Sequence, residues 1–330
     1  MRNLVIIILV AALGWSTYWY LGKSSRETAL AGWFDARQEA GWVAESSLEL
    51  RGFPNRYDAI IEGIQLADPV SGWAWSAPHF ELLQLSYQPN HFIALWPEHQ
   101  QIKTPDQKIM IDSTEMRASV IFHGETELDR ATLTAHKMAL KSTADWGGSA
   151  NDFVLALRRN EQAENSYDIG LSAAQFTPAN IIMRHLDTAG IMPNAFETFR
   201  MDAQVKFSTP LSQSSFENNT AKLQSLGLND IHLAWGDLIL RATGSVDLDA
   251  NGYPTGKLTI RATNWEQMLD LAIQSGAVRE SEASTVRTGL KVFSAFSGNK
   301  NELEIPLRFA DRQTRLGPIS IGDAPQIKFP

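Results

Sequence analysis

The chain contains no cysteine. A protein without cysteine forms no disulfide bond, offers no thiolate to a metal ion and has no cysteine nucleophile. This absence does not indicate a compartment, because many exported proteins also lack disulfide bonds.

Concentrated positive charge is also missing. Lysine and arginine together number 29 against 37 aspartate and glutamate residues, so the formal net charge is −8. Binding to nucleic-acid phosphates depends on clustered lysine and arginine, and the sequence has no run rich in either. Nucleic acid is therefore not an expected partner.

Familiar catalytic motifs are absent as well. The sequence has no G-x-S-x-G elbow, no P-loop, no G-x-G-x-x-G turn and no H-E-x-x-H helix. Its seven histidines are scattered, and a metal site would need three of them to converge. These histidines are His79, His91, His99, His123, His136, His185 and His232.

Acidic pairs are present but none is distinctive. The two pairs are Glu125 with Glu127 and Asp247 with Asp249. Each pair would lie on one face of a strand or turn, where a solvent-exposed sheet edge explains it equally well. The stretch from Asp247 to Gly252 begins like a calcium loop, but Leu258 stands where the bidentate glutamate belongs. We therefore expect no enzyme, no cofactor, and no catalytic, cofactor-binding or metal-binding residues. An unrecognised carboxylate or histidine site is the remaining enzymatic alternative.

A long run without charge is the clearest positive feature. Residues 3–22 contain no charged side chain, and a helix of that length spans about 30 Å, the thickness of a bilayer's hydrocarbon core. Its second half carries Trp15, Tyr18, Trp19 and Tyr20, and such rings prefer the membrane–water interface. The run predicts a transmembrane anchor over residues 1–23 that contacts the lipid bilayer through residues 3–22.

A cleaved signal peptide is the alternative interpretation of this run. Arg2 would supply the positive region and residues 4–13 the apolar region. Large aromatic residues follow instead of a cleavage site, and the first A-x-A motif, residues 29–31, comes late. We therefore expect an uncleaved anchor. The positive charges on the two sides of the anchor are nearly balanced, so they do not indicate its orientation. We expect the C-terminal part to be exported because the anchor lies near the N-terminus and a long polar-patterned chain follows it.

Residues 24–42 are predicted to be helical. Apolar residues recur at helical spacing, and Gly41 is a suitable end. This helix would continue the anchor or lie just beyond the membrane surface.

The remaining chain is dominated by two-residue periodicity. Met116, Ala118, Val120 and Phe122, for example, alternate with polar residues. Such segments, separated by turn signals, predict a mainly β (α+β) fold: a long curved antiparallel β-sheet with a few packed helices.

Three helices are predicted within this β-rich region. The first runs from Thr177-Pro178 to Gly190, with Ile181, Ile182, His185 and Leu186 as its apolar stripe. The second begins at Asn264 as a cap, with Gln267 reaching back, and Gly276 ends it. The third covers residues 281–296. The first helix is the predicted boundary between two β-rich halves, residues 24–190 and residues 191–330.

The most distinctive local sequence is residues 52–58, where Gly, Pro and Asn predict a tight turn and Arg56 is expected to pair with Asp58. With several other strand and turn motifs, it resembles the DUF2125 proteins of alphaproteobacteria. The motifs are Gly52-Phe53-Pro54-Asn55-Arg56-Tyr57-Asp58, Trp73-x-Trp75-x-Ala77-Pro78, Ala94-x-Trp96-Pro97, residues 244–252, Gly256-Lys257-Leu258, Asn264-Trp265, and residues 316–325.

This resemblance implies a bacterial envelope protein and supplies no catalytic residue. More loosely, the chain is similar to AsmA-like and YdgA-like proteins, which have an N-terminal anchor and a long β domain in the periplasm. Some relatives of that wider group are linked to lipid traffic or outer-membrane upkeep. The expected location is the bacterial inner membrane, single-pass, with the soluble part in the periplasm.

Two functional hypotheses follow. In the first, an apolar sheet face binds lipid or another hydrophobic ligand in envelope maintenance; the same residues would equally suit a closed core under the C-terminal helices. In the second, the protein is a scaffold or partner-binding module of an inner-membrane complex. The candidate lining residues of the apolar face are Met116, Ala118, Val120, Phe122, Leu303, Ile305 and Leu307.

Overall fold

The computed structural model of the chain describes residues 1–124, 126–296, 299–316 and 319–327. Within these ranges it has five helices, and its seventeen strands are assigned to one sheet in which the registered strand pairs are antiparallel. The predicted class, mainly β with packed helices and a long N-terminal apolar helix, is confirmed.

The helices are α1 (Arg2–Glu39), α2 (Asn180–Leu186), α3 (Gln213–Glu217), α4 (Trp265–Gln274) and α5 (Glu280–Phe296). The strands are β1 (Val43–Arg51), β2 (Arg56–Ala67), β3 (Ala74–Leu85), β4 (His91–Trp96), β5 (His99–Lys103), β6 (Lys108–Asp112), β7 (Glu115–His123), β8 (Glu127–Ser142), β9 (Gly147–Arg159), β10 (Ser166–Phe176), β11 (Phe196–Phe207), β12 (Leu223–Trp235), β13 (Leu238–Leu248), β14 (Pro254–Thr263), β15 (Glu302–Ala310), β16 (Gln313–Leu316) and β17 (Ile319–Asp323).

The chain forms two compact units. Unit 1 comprises Met1–Phe122 and Leu133–Asp145, and unit 2 comprises His123–Thr132 and Trp146–Pro330. The division expected from sequence patterning, into residues 24–190 and 191–330, stays a prediction.

In unit 1, the predicted anchor and the helix expected after it form one continuous helix, α1. Gly41 follows its end with a φ of +85°, a conformation that suits glycine and turns the chain into β1. Strand β1 pairs with β2, β2 with β3, and β3 with both β4 and β5. The predicted pair of Arg56 and Asp58 is present at 3.0 Å.

The core of unit 1 lies between α1 and the first strands. Tyr57, Ala59 and Ile61 alternate along β2 and are buried, since every second side chain of a strand points to the same face. Two apolar clusters include helix residues: Trp19 packs with Leu50, Tyr57 and Ala59, and Phe34 packs with Ile61 and its neighbours. Helix α1 is therefore part of the core of unit 1.

Unit 2 is a meander. From β9 to β17, each strand pairs with the next strand along the chain. Helix α2 is inserted between β10 and β11, and α4 and α5 are inserted between β14 and β15. Such sequential pairing is the simplest antiparallel connection.

The helix predicted to begin at Thr177-Pro178 is shorter than expected. Thr177 forms a β-bridge with Ser149, through backbone hydrogen bonds of 2.9 and 2.8 Å, so the chain is still extended there. Helix α2 therefore begins at Asn180 and ends at Leu186. Its predicted apolar stripe is not buried, because Ile181 and Ile182 are each 49% exposed.

Helices α4 and α5 lie where they were predicted, but the cap of α4 differs. The Asn264 side chain donates a hydrogen bond to the Asp237 carbonyl at 2.6 Å and makes none to the first turn of the helix. The Gln267 side chain does not reach back to Asn264, and its amide donates instead to the sulfur of Met192 at 3.5 Å. Only the backbone N–H of Gln267 bonds to Asn264, at its carbonyl. Gly276, with a φ of +76°, follows the helix end as expected.

Candidate functional site

An apolar pocket of about 250 Å³ lies in unit 2, between α4 and the end of the β12–β13 hairpin. The strands contribute Phe196, Leu233, Trp235, Leu238 and Leu240. The helices and the turn after α4 contribute Leu186, Met268, Leu271, Ala272, Ser275 and Ala277. The volume is just below the range of about 300–1,000 Å³ that is usual for ligand pockets.

Trp235 forms the rigid wall of this pocket. It is the last residue of β12, and its indole Nε1 donates a hydrogen bond to the Pro193 carbonyl at 2.7 Å. Its ring lies 5.0 Å from that of Phe196, measured between centroids. Because the polar nitrogen is satisfied elsewhere, the apolar face of the indole is free to line the pocket.

Helix α4 forms the opposite wall. Leu271 and Ala272 follow Met268 by three and four residues, which places both on the same side of the helix as Met268. The helix is fixed by Trp265, which is 2% exposed and donates a hydrogen bond from its indole to the Lys300 carbonyl at 3.1 Å. The pocket therefore lies between two supported elements.

Several large apolar side chains on and just after α2, the helix that contributes Leu186 to the pocket, are exposed. Leu186, which belongs to the lining, is 40% exposed, and Ile191 just after α2 is 63% exposed. Ile181 and Ile182 on α2 are also exposed. A contiguous exposed patch of large apolar residues is typical of a surface that contacts a ligand, a partner or a membrane, whereas single exposed ones are ordinary.

The chemistry available in this pocket is limited. Ser275 is the one polar side chain among the lining residues, and none of them is ionisable. Such a lining binds an apolar group by excluding water from it. It supplies no general acid or base.

The apolar face suggested by the sequence is not this pocket. Leu303 is 2% exposed and packs with Trp265 and Leu269, and Ile305 packs against the same cluster, so these two residues belong to a closed core that includes α4 and α5. Leu307 packs in another cluster, around Val246 and Phe309. The other candidates, Met116, Ala118, Val120 and Phe122, are half-buried residues of β7 in unit 1.

Two of the seven histidines make separate side-chain contacts. His91 Nε2 lies 2.8 Å from the Ser119 hydroxyl, and His99 Nδ1 lies 2.7 Å from an Asp112 carboxylate oxygen. Among the described residues, no group of three histidine, aspartate or glutamate side chains is placed to hold a metal ion.

Of the two acidic pairs singled out in the sequence, one has a member whose local contacts account for its position. An Asp249 carboxylate oxygen accepts hydrogen bonds from the backbone N–H groups of Asn251 and Tyr253, at 2.8 and 2.9 Å, and so stabilises the β13–β14 turn. Of the other pair, Glu125 lies outside the described residues.

The helix predicted to meet a bilayer has two different parts. By length and composition, α1 is the one described helix that could cross a membrane. Residues 2–14 are exposed all round. Beyond them, three aromatic side chains donate hydrogen bonds to backbone carbonyls of unit 1: Trp15 to Pro54 at 2.9 Å, Tyr18 to Ser86 at 2.8 Å and Trp19 to Arg56 at 2.8 Å.

Sequence reasoning missed both the pocket in unit 2 and these helix contacts. The pocket had one local signal, a tryptophan placed directly before the Gly236 turn of a hairpin. The helix contacts had none, because each joins residues 37 or more positions apart.

Comparison with known proteins agrees with the turn and strand motifs. No curated protein and no solved structure matches the chain, so the looser similarity to AsmA-like and YdgA-like proteins has no support from them. The model of one family, described as "Uncharacterized protein conserved in bacteria (DUF2125)", matches residues 19–325. That match covers nearly the whole chain, and the protein therefore belongs to the DUF2125 family.

Proposed function

We propose that this protein is a non-enzymatic, single-pass protein of the bacterial inner membrane whose periplasmic part binds lipid or another hydrophobic ligand in envelope maintenance. The observation that carries the proposal is the apolar pocket of unit 2. Its lining has no ionisable group, and an indole hydrogen bond fixes each of its two walls. Apolar pockets of this kind are the usual form of a small-ligand site.

The packing of α1 supports an anchor that stays attached. Trp19 is 4% exposed and Phe34 is 9% exposed, and both belong to core clusters of unit 1. Cleavage at the small residues 29–31 would remove Trp19 from its cluster and leave Leu50 and Tyr57 uncovered. Losing a buried tryptophan costs about 3–5 kcal/mol, so retention of the helix fits the fold better than removal of a signal peptide.

Photo-crosslinking in a membrane tests the ligand. The full chain is placed in nanodiscs that contain a phospholipid with a diazirine on its acyl chain, and labelled peptides are identified by mass spectrometry. We expect labelling of α4 and β13 around Leu240 and Met268. Labelling no stronger at these peptides than at exposed peptides from β5 and β6 would contradict the proposal.

Two adjacent residues of β13 provide a matched pair for this experiment. Leu240 lines the pocket, whereas Ile239 is also half-buried but points to the other face of the strand. Leu240→Gln should lower labelling of α4 about tenfold, because an unpaired amide in an apolar site costs about 1–3 kcal/mol. Ile239→Gln should leave labelling near the wild-type level.

The exposed apolar residues on and just after α2 favour a second candidate function, a scaffold that binds a membrane-protein partner. Ile181, Ile182 and Ile191 are at least 49% exposed, and such residues are common at protein interfaces. Affinity capture in mild detergent should then recover a stoichiometric partner that Ile181→Asp releases. Repeated recovery of the protein alone would count against this function.

A further inference from the structure

A second pocket, of about 430 Å³, lies within unit 1 where α1 meets the sheet. Its walls are mostly apolar and include Leu30 from the helix together with Leu50, Leu82 and Phe92 from the strands. Arg26 is the one charged residue of the lining. The other polar side chains of the lining, Ser25, Tyr57 and Gln84, are neutral, so the lining itself offers this cation no counter-charge.

The guanidinium of Arg26 is held in place by groups that do not neutralise it. Its Cζ lies 4.0 Å from the centre of the Tyr57 ring, and its Nε donates a hydrogen bond to the Gln84 side-chain oxygen at 2.5 Å. Its Nη1 donates another to the Gly22 carbonyl at 3.1 Å. An arginine has five N–H donors, so three remain after these two bonds. Within the described ranges, Arg26 forms no ion pair with a carboxylate.

The height of Arg26 along α1 indicates what could neutralise it. Arg26 is four residues beyond Gly22, the end of the uncharged run, which is about 6 Å along a helix. The bond to the Gly22 carbonyl turns the guanidinium back towards that end of the helix. When the exposed residues 2–14 lie in the hydrocarbon core, the guanidinium lies just beyond the aromatic residues at positions 15–20, which suit the membrane–water interface.

We propose that this pocket binds the phosphate group of an anionic phospholipid from the surrounding bilayer. The free N–H groups of Arg26 hold two phosphate oxygens, since the planar guanidinium matches that geometry. Phe92 pairs with Gln84 in the sheet and therefore lies at the level of the guanidinium, where it contacts the apolar part next to the headgroup. The inference rests on the membrane anchoring in the proposed function, but it concerns a different pocket from the one in unit 2.

Arg37 provides a matched control on the same helix. Its guanidinium Cζ also lies over aromatic rings, 5.1 Å from the centres of both Trp33 and Trp42. It forms no ion pair among the described residues and does not line the unit 1 pocket. It lies eleven residues further along α1, about 16 Å from Arg26.

The test is native mass spectrometry of the full chain released from nanodiscs that contain phosphatidylcholine and phosphatidylglycerol. The wild type should retain one phosphatidylglycerol in preference to phosphatidylcholine. Arg26→Gln should lower that preference about tenfold, because charged hydrogen bonds are lost, and Arg37→Gln should leave it unchanged. Arg26→Lys, which keeps the charge but not the fork of donors, should give an intermediate preference.

Several outcomes would overturn the inference. One is retention of the two lipids in proportion to their share of the bilayer, and another is an equal loss in the Arg26→Gln and Arg37→Gln variants. Displacement of the lipid from the wild type by excess inorganic phosphate would indicate a site for free anions, and this measurement does not depend on any variant folding. Release of the chain from membranes by alkali would contradict the anchoring itself. A firmly embedded chain without lipid preference would contradict this inference alone.

Discussion

The two parts of helix α1 are built for different surroundings. Residues 2–14 are exposed on every side and almost entirely apolar, whereas the following turns supply Trp19 and Phe34 to the core of unit 1. No loop separates the two parts. The same helix is therefore a candidate membrane span at one end and a core element at the other.

The contacts at the junction make the second part rigid. Trp19 stacks on Tyr57 with ring centres 5.7 Å apart and meets Phe53 edge-on at 5.3 Å, while its indole nitrogen bonds to the Arg56 carbonyl. A flexible linker would let a domain move freely relative to its anchor. Here the direction in which α1 leaves unit 1 is set by packing, and four substitutions test that conclusion.

The largest effect is expected from Trp19→Ala. Truncation of this buried ring should lower the free energy of unfolding of unit 1 by about 3–5 kcal/mol. Leu9→Ala, in the exposed part of the same helix, should leave it unchanged. Hydrogen exchange of β1 and β2 in detergent measures both variants. Equal protection in the two would mean that the junction is not part of the core.

The next largest difference in stability is expected between alanine substitutions at two glycines of α1, Gly22 and Gly14. A Cβ added at Gly22 would overlap the Tyr57 hydroxyl and lie 2.8 Å from its Cζ, whereas one added at Gly14 meets nothing within 4 Å. Gly22→Ala should therefore destabilise unit 1 by about 1–3 kcal/mol. Gly14→Ala should be neutral or slightly favourable to the helix. Urea unfolding followed by circular dichroism would show the difference, and equal midpoints would argue against close packing at Gly22.

A smaller loss is expected from Tyr18→Phe. The substitution removes the hydrogen bond from the Tyr18 hydroxyl to the Ser86 carbonyl, which is worth about 0.5–1.5 kcal/mol. Tyr20, at 64% exposed, is the control, and Tyr20→Phe should not change stability. The same unfolding midpoints compare the two variants, and a larger loss for Tyr20→Phe would contradict the assignment.

The smallest effect at neutral pH, with the opposite sign, is expected from Tyr57→Phe. The Tyr57 hydroxyl is buried without a hydrogen-bond partner among the described residues, so its removal should be neutral or stabilise unit 1 by up to about 1 kcal/mol. It should also relieve part of the damage of Gly22→Ala, since the overlapping oxygen is gone. A double-mutant cycle with additive effects would contradict this contact.

Tyr57 also predicts a pH dependence. Burial raises the pKa of its hydroxyl above the usual value, although the nearby Arg26 opposes this. The folded state thus favours the neutral phenol, and the stability that follows is complete below the unfolded pKa of about 10 and is lost as pH rises beyond it. Wild-type stability should fall more steeply above pH 10 than that of Tyr57→Phe, as measured by urea midpoints. Parallel curves would contradict the prediction.

Local patterns predicted the strands and the long helices, but not the start of α2 or the cap of α4. Helices α4 and α5 follow from their apolar spacing, and Gly276 ends α4 as expected. The start of α2 was wrong because Thr177 pairs with Ser149, 28 positions earlier, and the cap at Asn264 was wrong because Asp237 competes for its side chain. The pocket of unit 2 was not predicted, since it depends on how α4 lies against a hairpin.

The sequence by itself determined the uncharged run, the alternating strands, the family and the absence of cysteine chemistry, because each depends on composition or near-neighbour spacing. Only the tertiary structure decided what the aromatic residues at positions 15–19 contact. The N–H of an indole or the O–H of a phenol is satisfied equally well by interfacial water or by a buried carbonyl, so the residues alone do not distinguish the two. In the structure, the carbonyls of Pro54, Arg56 and Ser86 accept these hydrogen bonds. They lie next to α1 only when the strands of unit 1 have folded.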